Sequence, residues 1–85
     1  MLKDSTVNAL CASVFHALKR ERLRQNLSMN ALAEKAGLSQ QMVSYVERGL
    51  RKPTLDTVFR MCIALDVELG SLISQSMKTS RRGKK

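Results

Sequence analysis

Four residues punctuate an otherwise continuous helical pattern: Asn26, Gly37, Gly49 and Asp66. Glycine enters the left-handed conformation that ends a helix without steric cost, and asparagine tolerates it. Asp66 interrupts the apolar spacing of the fourth segment. After the first three stops stand Ser28, Ser39 and Thr54, side chains that accept a hydrogen bond from the first turn of a following helix. Between the stops the apolar residues recur at helical spacing, and no segment alternates as a strand would. The pattern therefore predicts an all-α chain of five helices in one domain, with no internal repeat.

The first helix runs from about Thr6 to Gln25, an extended element with Val7, Leu10, Cys11, Val14, Phe15 and Leu18 on one face. The second, MNALAEKA, ends at Gly37 and is followed by Leu38 as a buried plug. The third spans Ser39 to Gly49 and anchors Val43 and Val46. A loop, LRKP, leads to a fourth helix capped by Thr54, whose expected inward stripe is Leu55, Val58, Phe59, Cys62 and Leu65. A last short helix carries Leu69, Leu72 and Ile73. The domain is expected to occupy residues 1–77, leaving 78–85 as a flexible, disordered basic tail. At 85 residues there is room for one modest core, and oligomerisation would add to its stability.

The charge is +8, unevenly distributed. Residues 78–85 carry five basic side chains and no acid; residues 19–52 carry eight basic against three acidic. Residues 53–77 are net negative, with Arg60 against Asp56, Asp66 and Glu68. Polarised positive charge suits a polyanion such as nucleic acid, although a solubilising surface would have the same composition. Cys11 and Cys62 sit at apolar helical positions outside any C-x-x-C pair, so both read as small buried hydrophobes in a reducing compartment. The N-terminal stretch is interrupted by Asp4, Asn8 and His16 and lacks a cleavage site, which favours a cytoplasmic protein over a secreted one. No run of eighteen apolar residues exists, so no membrane span is expected. His16 is the single histidine, with no second ligand at metal spacing; neither a metal site, a cofactor nor a catalytic arrangement can be built around it.

The third segment, SQQMVSYVERG, has more polar surface than a structural helix needs. Gln40, Gln41, Ser44, Tyr45 and Arg48 share the face opposite Val43 and Val46. Two short helices joined by a tight glycine turn, the second with a free polar face, describe a helix-turn-helix. From about Leu18 to Ile73 the chain resembles the phage-repressor and Cro type of helix-turn-helix, the XRE family. The resemblance is carried by Leu18 and Arg22, by Leu27 and Ser28, by LAEKAG (32–37), by SQQ-x-VS-x-VE-x-G (39–49), by KPTL (52–55) and by ALDV (64–67). It covers roughly two thirds of the chain. Departures are Glu21 at a usually apolar position, Met29 in place of the common Gln, Ala31 without the usual capping acid, and Asn26 in place of a frequent Gly. The first ten or so residues precede the family core.

The resemblance implies binding to double-stranded DNA. A helix fits the major groove, where a glutamine can bond adenine through both amide atoms. The family's base-contacting positions map onto Gln40, Gln41, Ser44 and Tyr45, with Tyr45 either touching a base or lying flat on the surface. Its phosphate contacts map onto Ser28, Met29, Arg48, Arg51 and Lys52, and Met29 can serve through its backbone N–H at the helix N-terminus. Glu47 borders the inward face and needs a partner; by resemblance that partner is Arg22. Leu69, Leu72 and Ile73, with Met77, exceed what one short helix needs to dock, which marks them as a dimer interface. The expected function is a sequence-specific transcription regulator, a repressor acting as a homodimer on a near-palindromic operator, and not an enzyme. The alternative is an antitoxin or other protein-binding regulator in which DNA binding is secondary. A restriction-modification controller fits as a subtype, but no residue selects it.

Overall fold

The computed structural model describes residues 3–82 in five helices: α1 (Asp4–Arg24), α2 (Met29–Ala36), α3 (Gln40–Arg48), α4 (Leu55–Leu65) and α5 (Leu69–Arg82). No strand occurs among the described residues. All four expected stops are left-handed, with φ of 59° at Asn26, 70° at Gly37, 68° at Gly49 and 58° at Asp66. They close their helices in one way. Each stop donates its N–H to the carbonyl three residues back, and the next residue donates to the carbonyl five back. For Gly37 these bonds reach Glu34 at 3.4 Å and, from Leu38, Ala33 at 2.9 Å. The same pair joins Asn26 and Leu27 to Leu23 and Arg22, Gly49 and Leu50 to Val46 and Tyr45, and Asp66 and Val67 to Ile63 and Cys62. This is the Schellman closure, which satisfies terminal carbonyls and turns the chain sharply. The residue that follows is apolar each time, and Leu27, Leu38 and Val67 pack against the core.

The helix starts follow the same economy. Ser28, Ser39 and Thr54 accept from the N–H groups of Ala31, Met42 and Thr57 at 3.0, 3.1 and 3.3 Å. For α2 this single cap suffices without an acidic partner. The core consists of Phe15 and Leu18 from α1, Leu32 and Ala33 from α2, Val43 and Val46 from α3, and Val58, Met61, Cys62 and Leu65 from α4. Helix α1 packs on α3, α4 and α5, and α2 on α3 and α4. Burial along α1 fades toward its N-terminus, from buried Leu18 and Phe15 through half-buried Val14, Cys11 and Leu10 to exposed Val7. Of the two cysteines Cys62 is buried and Cys11 half-buried; desolvation holds the Cys62 thiol above its ordinary pKa.

Two expectations are corrected. In α4, Leu55 and Phe59 point outward, at 61% and 47% exposure, and the inward stripe is Val58, Met61, Cys62 and Leu65. The segment has apolar residues on two faces, and the outward row Leu55, Phe59, Ile63 competes at equally good helical spacing. Helix α5 is not short: it continues to Arg82, so the expected boundary of the basic tail at 78 falls inside it, and residues 83–85 lie outside the described residues. No glycine or proline stands between Gly70 and Gly83 to end the helix, and Ser76 turns its hydroxyl back onto the Leu72 carbonyl at 2.9 Å. In α1, Glu21 occupies its departure from the family pattern without entering the core. It accepts from Arg24 and from Gln25, and Gln25 also donates to the Leu65 carbonyl at 2.7 Å, tying α1 to the end of α4. The Arg24 hydrogen bond, then that of Gln25, holds the Glu21 carboxyl below the usual range.

One ion pair joins α1 to α3. Arg22 donates Nε to one Glu47 oxygen at 2.7 Å and Nη2 to the other at 2.9 Å. Its Nη1 donates to the Leu27 carbonyl at 2.8 Å, in the turn before α2. The two side chains are 7% and 1% exposed, and the hydrogen bond to Glu47 raises the Arg22 pKa. Each of the three guanidinium nitrogens donates one hydrogen bond.

Removing one partner leaves the other buried without compensation, so Arg22→Ala or Glu47→Ala is expected to cost about 3 to 5 kcal/mol in urea unfolding. Replacing both by Met is expected to recover much of that loss, because no isolated charge remains. The two helix-ending glycines should respond differently. A Cβ at Gly37 would lie 3.0 Å from Nη1 of Arg60, whereas at Gly49 it meets nothing within 4 Å. Each Ala substitution carries the left-handed penalty of roughly 1 to 2 kcal/mol. Gly37→Ala should cost more, since Arg60 must also leave the Ala36 carbonyl it reaches at 3.4 Å. An Arg60→Ala background should remove that difference in thermal unfolding.

Candidate nucleic-acid interface

The α2–turn–α3 unit is fixed from behind and open in front. Val43 and Val46 are fully buried, and Glu47 is held by Arg22, so α3 is anchored on two successive turns. Gln40, Gln41 and Arg48 are exposed, while Ser44 and Tyr45 are half-buried between the two faces. Ser39 spends its hydroxyl on the Met42 amide, which leaves the Gln40 and Gln41 carboxamides projecting from the first turn.

These side chains are not independent. Gln41 donates Nε2 to the Tyr45 hydroxyl at 2.6 Å, one turn along the helix. Beyond the helix end, the Arg51 guanidinium lies over the Tyr45 ring, 4.9 Å from its centroid. Such a contact is a cation–π pair. The structure thus brings Gln41, Tyr45 and Arg51 into one connected row. Gln40 and Ser44 share the helix face but make no recorded side-chain bond among the described residues. The i, i+4 spacing of Gln41 and Tyr45 made their contact available to sequence reasoning; the stacking of Arg51 depends on how the loop folds back.

At the start of α2, Ser28 is exposed and Met29 packs its side chain against the core. The N–H groups of Met29 and Asn30 have no intrahelical acceptor, as in the first turn of any helix. Arg48, Arg51 and Lys52 are exposed and border a cleft of about 510 Å³ whose other wall is Asn8, Cys11, Ala12 and Phe15 of α1. The N-terminal extension, which the family pattern did not account for, therefore flanks the basic loop. His16 is exposed on α1. Among the described residues, no cluster of His, Cys, Asp or Glu could hold a metal ion, and no helix is long and apolar enough to cross a membrane.

Away from this face lies a stretch of apolar surface. Leu55, Phe59 and Ile63 form an exposed row on α4, and Ile73 and Met77 are exposed on α5. Leu69 and Leu72, expected in an interface, are half-buried against the chain's own core. A groove of about 280 Å³, lined by apolar side chains of α1, α4 and α5 and by Ser76, lies beside the α4 row and shares Leu55, Ile73 and Met77 with this surface. The row at i, i+4 and i+8 was the signal for the α4 surface, but two of its members, Leu55 and Phe59, were expected in the core.

Comparison with known proteins identifies the same architecture. The family model described as helix-turn-helix matches residues 18–72. An uncharacterized HTH-type transcriptional regulator of Sinorhizobium fredii, y4dJ, is 34% identical over 70 residues, covering 82% of this chain and 87% of that protein. An uncharacterized HTH-type transcriptional regulator of Mycobacterium tuberculosis is 42% identical over 50 residues, 59% of this chain. The aligned part is 36% of that relative's length, so the chain spans about a third of it. Among solved structures, the biofilm master regulator SinR in complex with DNA superposes with a TM-score of 0.65 at 30% identity, covering 71% of this chain and 97% of that one. A restriction-modification controller protein superposes at 0.73 with 25% identity, covering 81% and 90%. With more than half its length matched to the family, and a relative aligned over most of both chains, this chain belongs to the XRE-type helix-turn-helix family of transcriptional regulators.

Proposed function

We propose that the chain is a sequence-specific regulator that binds double-stranded DNA as a homodimer and represses by occupying a near-palindromic operator. The observation that carries this reading is the outward face of α3: two exposed carboxamides on the first turn of a helix anchored by buried valines and an ion pair. A rigid helix with exposed carboxamides at its leading end suits the major groove, where glutamine discriminates adenine. Gln40, Gln41 and Ser44 are the base-reading candidates. Arg48, Arg51, Lys52 and the amides of Ser28 and Met29 are the candidates for phosphate contact, which positions without specifying. A 30%-identical regulator solved in complex with DNA supports the DNA-binding part of this reading.

The homodimer reading rests on apolar surface. Leu55, Phe59 and Ile63 are exposed in a row on α4, and Leu55 shares a groove with exposed Ile73 and Met77; exposed apolar surface of this kind marks an interaction site. A two-fold partner buries it and sets two copies of α3 about one helical turn apart, roughly 34 Å, the spacing a palindrome presents. Leu69 and Leu72 contribute from beneath. The same surface would fit a different protein, as in the antitoxin reading; light scattering of the purified chain separates the two, since the dimer forms without any other component. Operator occupancy of this kind belongs in the cytoplasm.

Two measurements test the proposal. On the duplex recovered by selection from a random pool, Gln41→Ala should cost ~1 to 3 kcal/mol, and much less on unselected duplex. Arg51→Ala and Lys52→Ala should weaken both alike and lower the slope of log affinity against log salt by ~1 per contact. Equal losses on both duplexes for Gln41→Ala would remove base reading from α3. Phe59→Asp and Ile73→Asp should give monomers by light scattering and bind the selected duplex more weakly. Dimers that persist in both variants at micromolar concentration would put the interface elsewhere.

A further inference from the structure

The row Gln41–Tyr45–Arg51 links a side chain proposed to read a base with one proposed to hold a phosphate, through an aromatic residue that is itself half-buried. We infer that Tyr45 is a positioning residue, not a base contact. Its hydroxyl fixes the Gln41 carboxamide and its ring fixes the Arg51 guanidinium, so that reading and holding occur in one register. The inference rests on the DNA-binding reading above and extends it to the division of labour among its residues.

The chemistry of the amide carries the first half. A glutamine carboxamide has two N–H donors and one acceptor oxygen. With the N–H trans to its oxygen given to the Tyr45 hydroxyl, across the 2.6 Å contact, the other N–H and the oxygen stay free side by side. That donor–acceptor pair complements adenine in the major groove, an acceptor N7 beside the N6 donor. A free glutamine on an exposed first turn loses rotamer freedom when it binds. One already tied to Tyr45 has lost part of it beforehand, which is how preorganisation raises affinity.

The ring carries the second half. Arg51 follows the left-handed stop at Gly49, in the loop, where no helix holds its side chain. Held over the Tyr45 ring, its carbon 4.9 Å from the centroid, the guanidinium is positioned while its N–H groups stay available. A planar guanidinium presents its N–H groups along its edge and engages a phosphate with two of them at once. The tyrosine thus serves two side chains by two different interactions, hydroxyl to Gln41 and π-face to Arg51, and substitutions can separate them.

The test uses Tyr45→Phe and Tyr45→Leu in the full chain, on the selected duplex and on the unselected pool. Tyr45→Phe keeps the ring and removes the hydroxyl. It should lose about 3- to 10-fold on the selected duplex, the range of one neutral hydrogen bond, and far less on the pool. In a Gln41→Ala background that loss should vanish, because the hydroxyl acts only through Gln41. Tyr45→Leu should add a further loss of about 2- to 5-fold on both duplexes, which an Arg51→Ala background abolishes. Tyr45 is the single tyrosine and there is no tryptophan, so its emission in the DNA-free protein should respond to both Gln41→Ala and Arg51→Ala. A Tyr45→Phe loss that persists undiminished in Gln41→Ala would mean the hydroxyl contacts a base directly and would overturn the inference. Wild-type discrimination left intact by Tyr45→Phe would overturn it alone. A wild-type chain with no preference between selected and unselected duplex would overturn it together with the reading on which it rests.

Discussion

Arg22 satisfies three acceptors with one planar group, and the geometry of the helix-turn-helix hangs on that arrangement. Both Glu47 oxygens and the Leu27 carbonyl lie within 2.9 Å of its nitrogens. The carboxylate belongs to α3, the carbonyl to the turn that precedes α2, and the guanidinium to α1. Three elements are therefore fixed relative to one another by bonds that have direction. An apolar cluster of the same volume could be equally stable, but hydrocarbon contacts tolerate sliding and rotation that a bidentate fork does not. The neighbouring valines supply burial, while the ion pair supplies orientation.

Orientation matters here because α3 has only nine residues, too few to be stable alone. Its ends are closed by a serine cap and a left-handed glycine, and its inner face by two valines and Glu47. What remains is a short, fully constrained platform. Only such a platform can present Gln40 and Gln41 at defined positions without help from their own backbone flexibility. The repeated Schellman closure has the same effect on the turns. Each stop consumes two carbonyls that would otherwise need water, and the apolar residue after it can return to the core at once. Leu38 does so between α2 and α3; Leu50, after α3, does not and stays exposed. The chain leaves the core at that point, and the basic loop begins there.

Most of this was legible in the sequence, because the signals are local. The stops Asn26, Gly37, Gly49 and Asp66 and the caps Ser28, Ser39 and Thr54 act within a few residues of themselves, so the turns followed from residue types. The XRE resemblance drew attention to Arg22 and Glu47, twenty-five positions apart, a distance across which periodicity is silent. Where the reading failed, the cause was a local signal with two solutions. Helix α4 has two apolar rows, and hydrophobic spacing cannot tell which one meets α1. Only the packing of α1 and α2 selects Val58, Met61, Cys62 and Leu65, leaving Leu55 and Phe59 outside. The length of α5 was missed for a related reason. Lysine, serine and arginine after Met77 look like a solvated tail, yet none of them breaks a helix, and basic residues are favourable in a last turn. The Arg51–Tyr45 stack lay beyond reach, since it depends on the path of a loop.

The placement of the apolar surface gives the architecture its last constraint. The groove is lined by α1, α4 and α5, with no contribution from α2 or α3. Any partner seated there leaves the helix-turn-helix faces untouched. A domain this small has little surface to divide, and on the DNA-binding reading proposed above a partner that covered Gln41 or Arg51 would compete with DNA for them. Separating the two surfaces by element removes that competition, at the cost of leaving α1 to span both. Helix α1 does span both: Leu10, Cys11 and Val14 border the apolar groove, Asn8, Cys11 and Ala12 flank the basic loop, and Arg22 holds α3. Its length beyond the matched family region is thus explained by geometry. A shorter first helix would keep the ion pair and lose the shared wall between the groove and the loop.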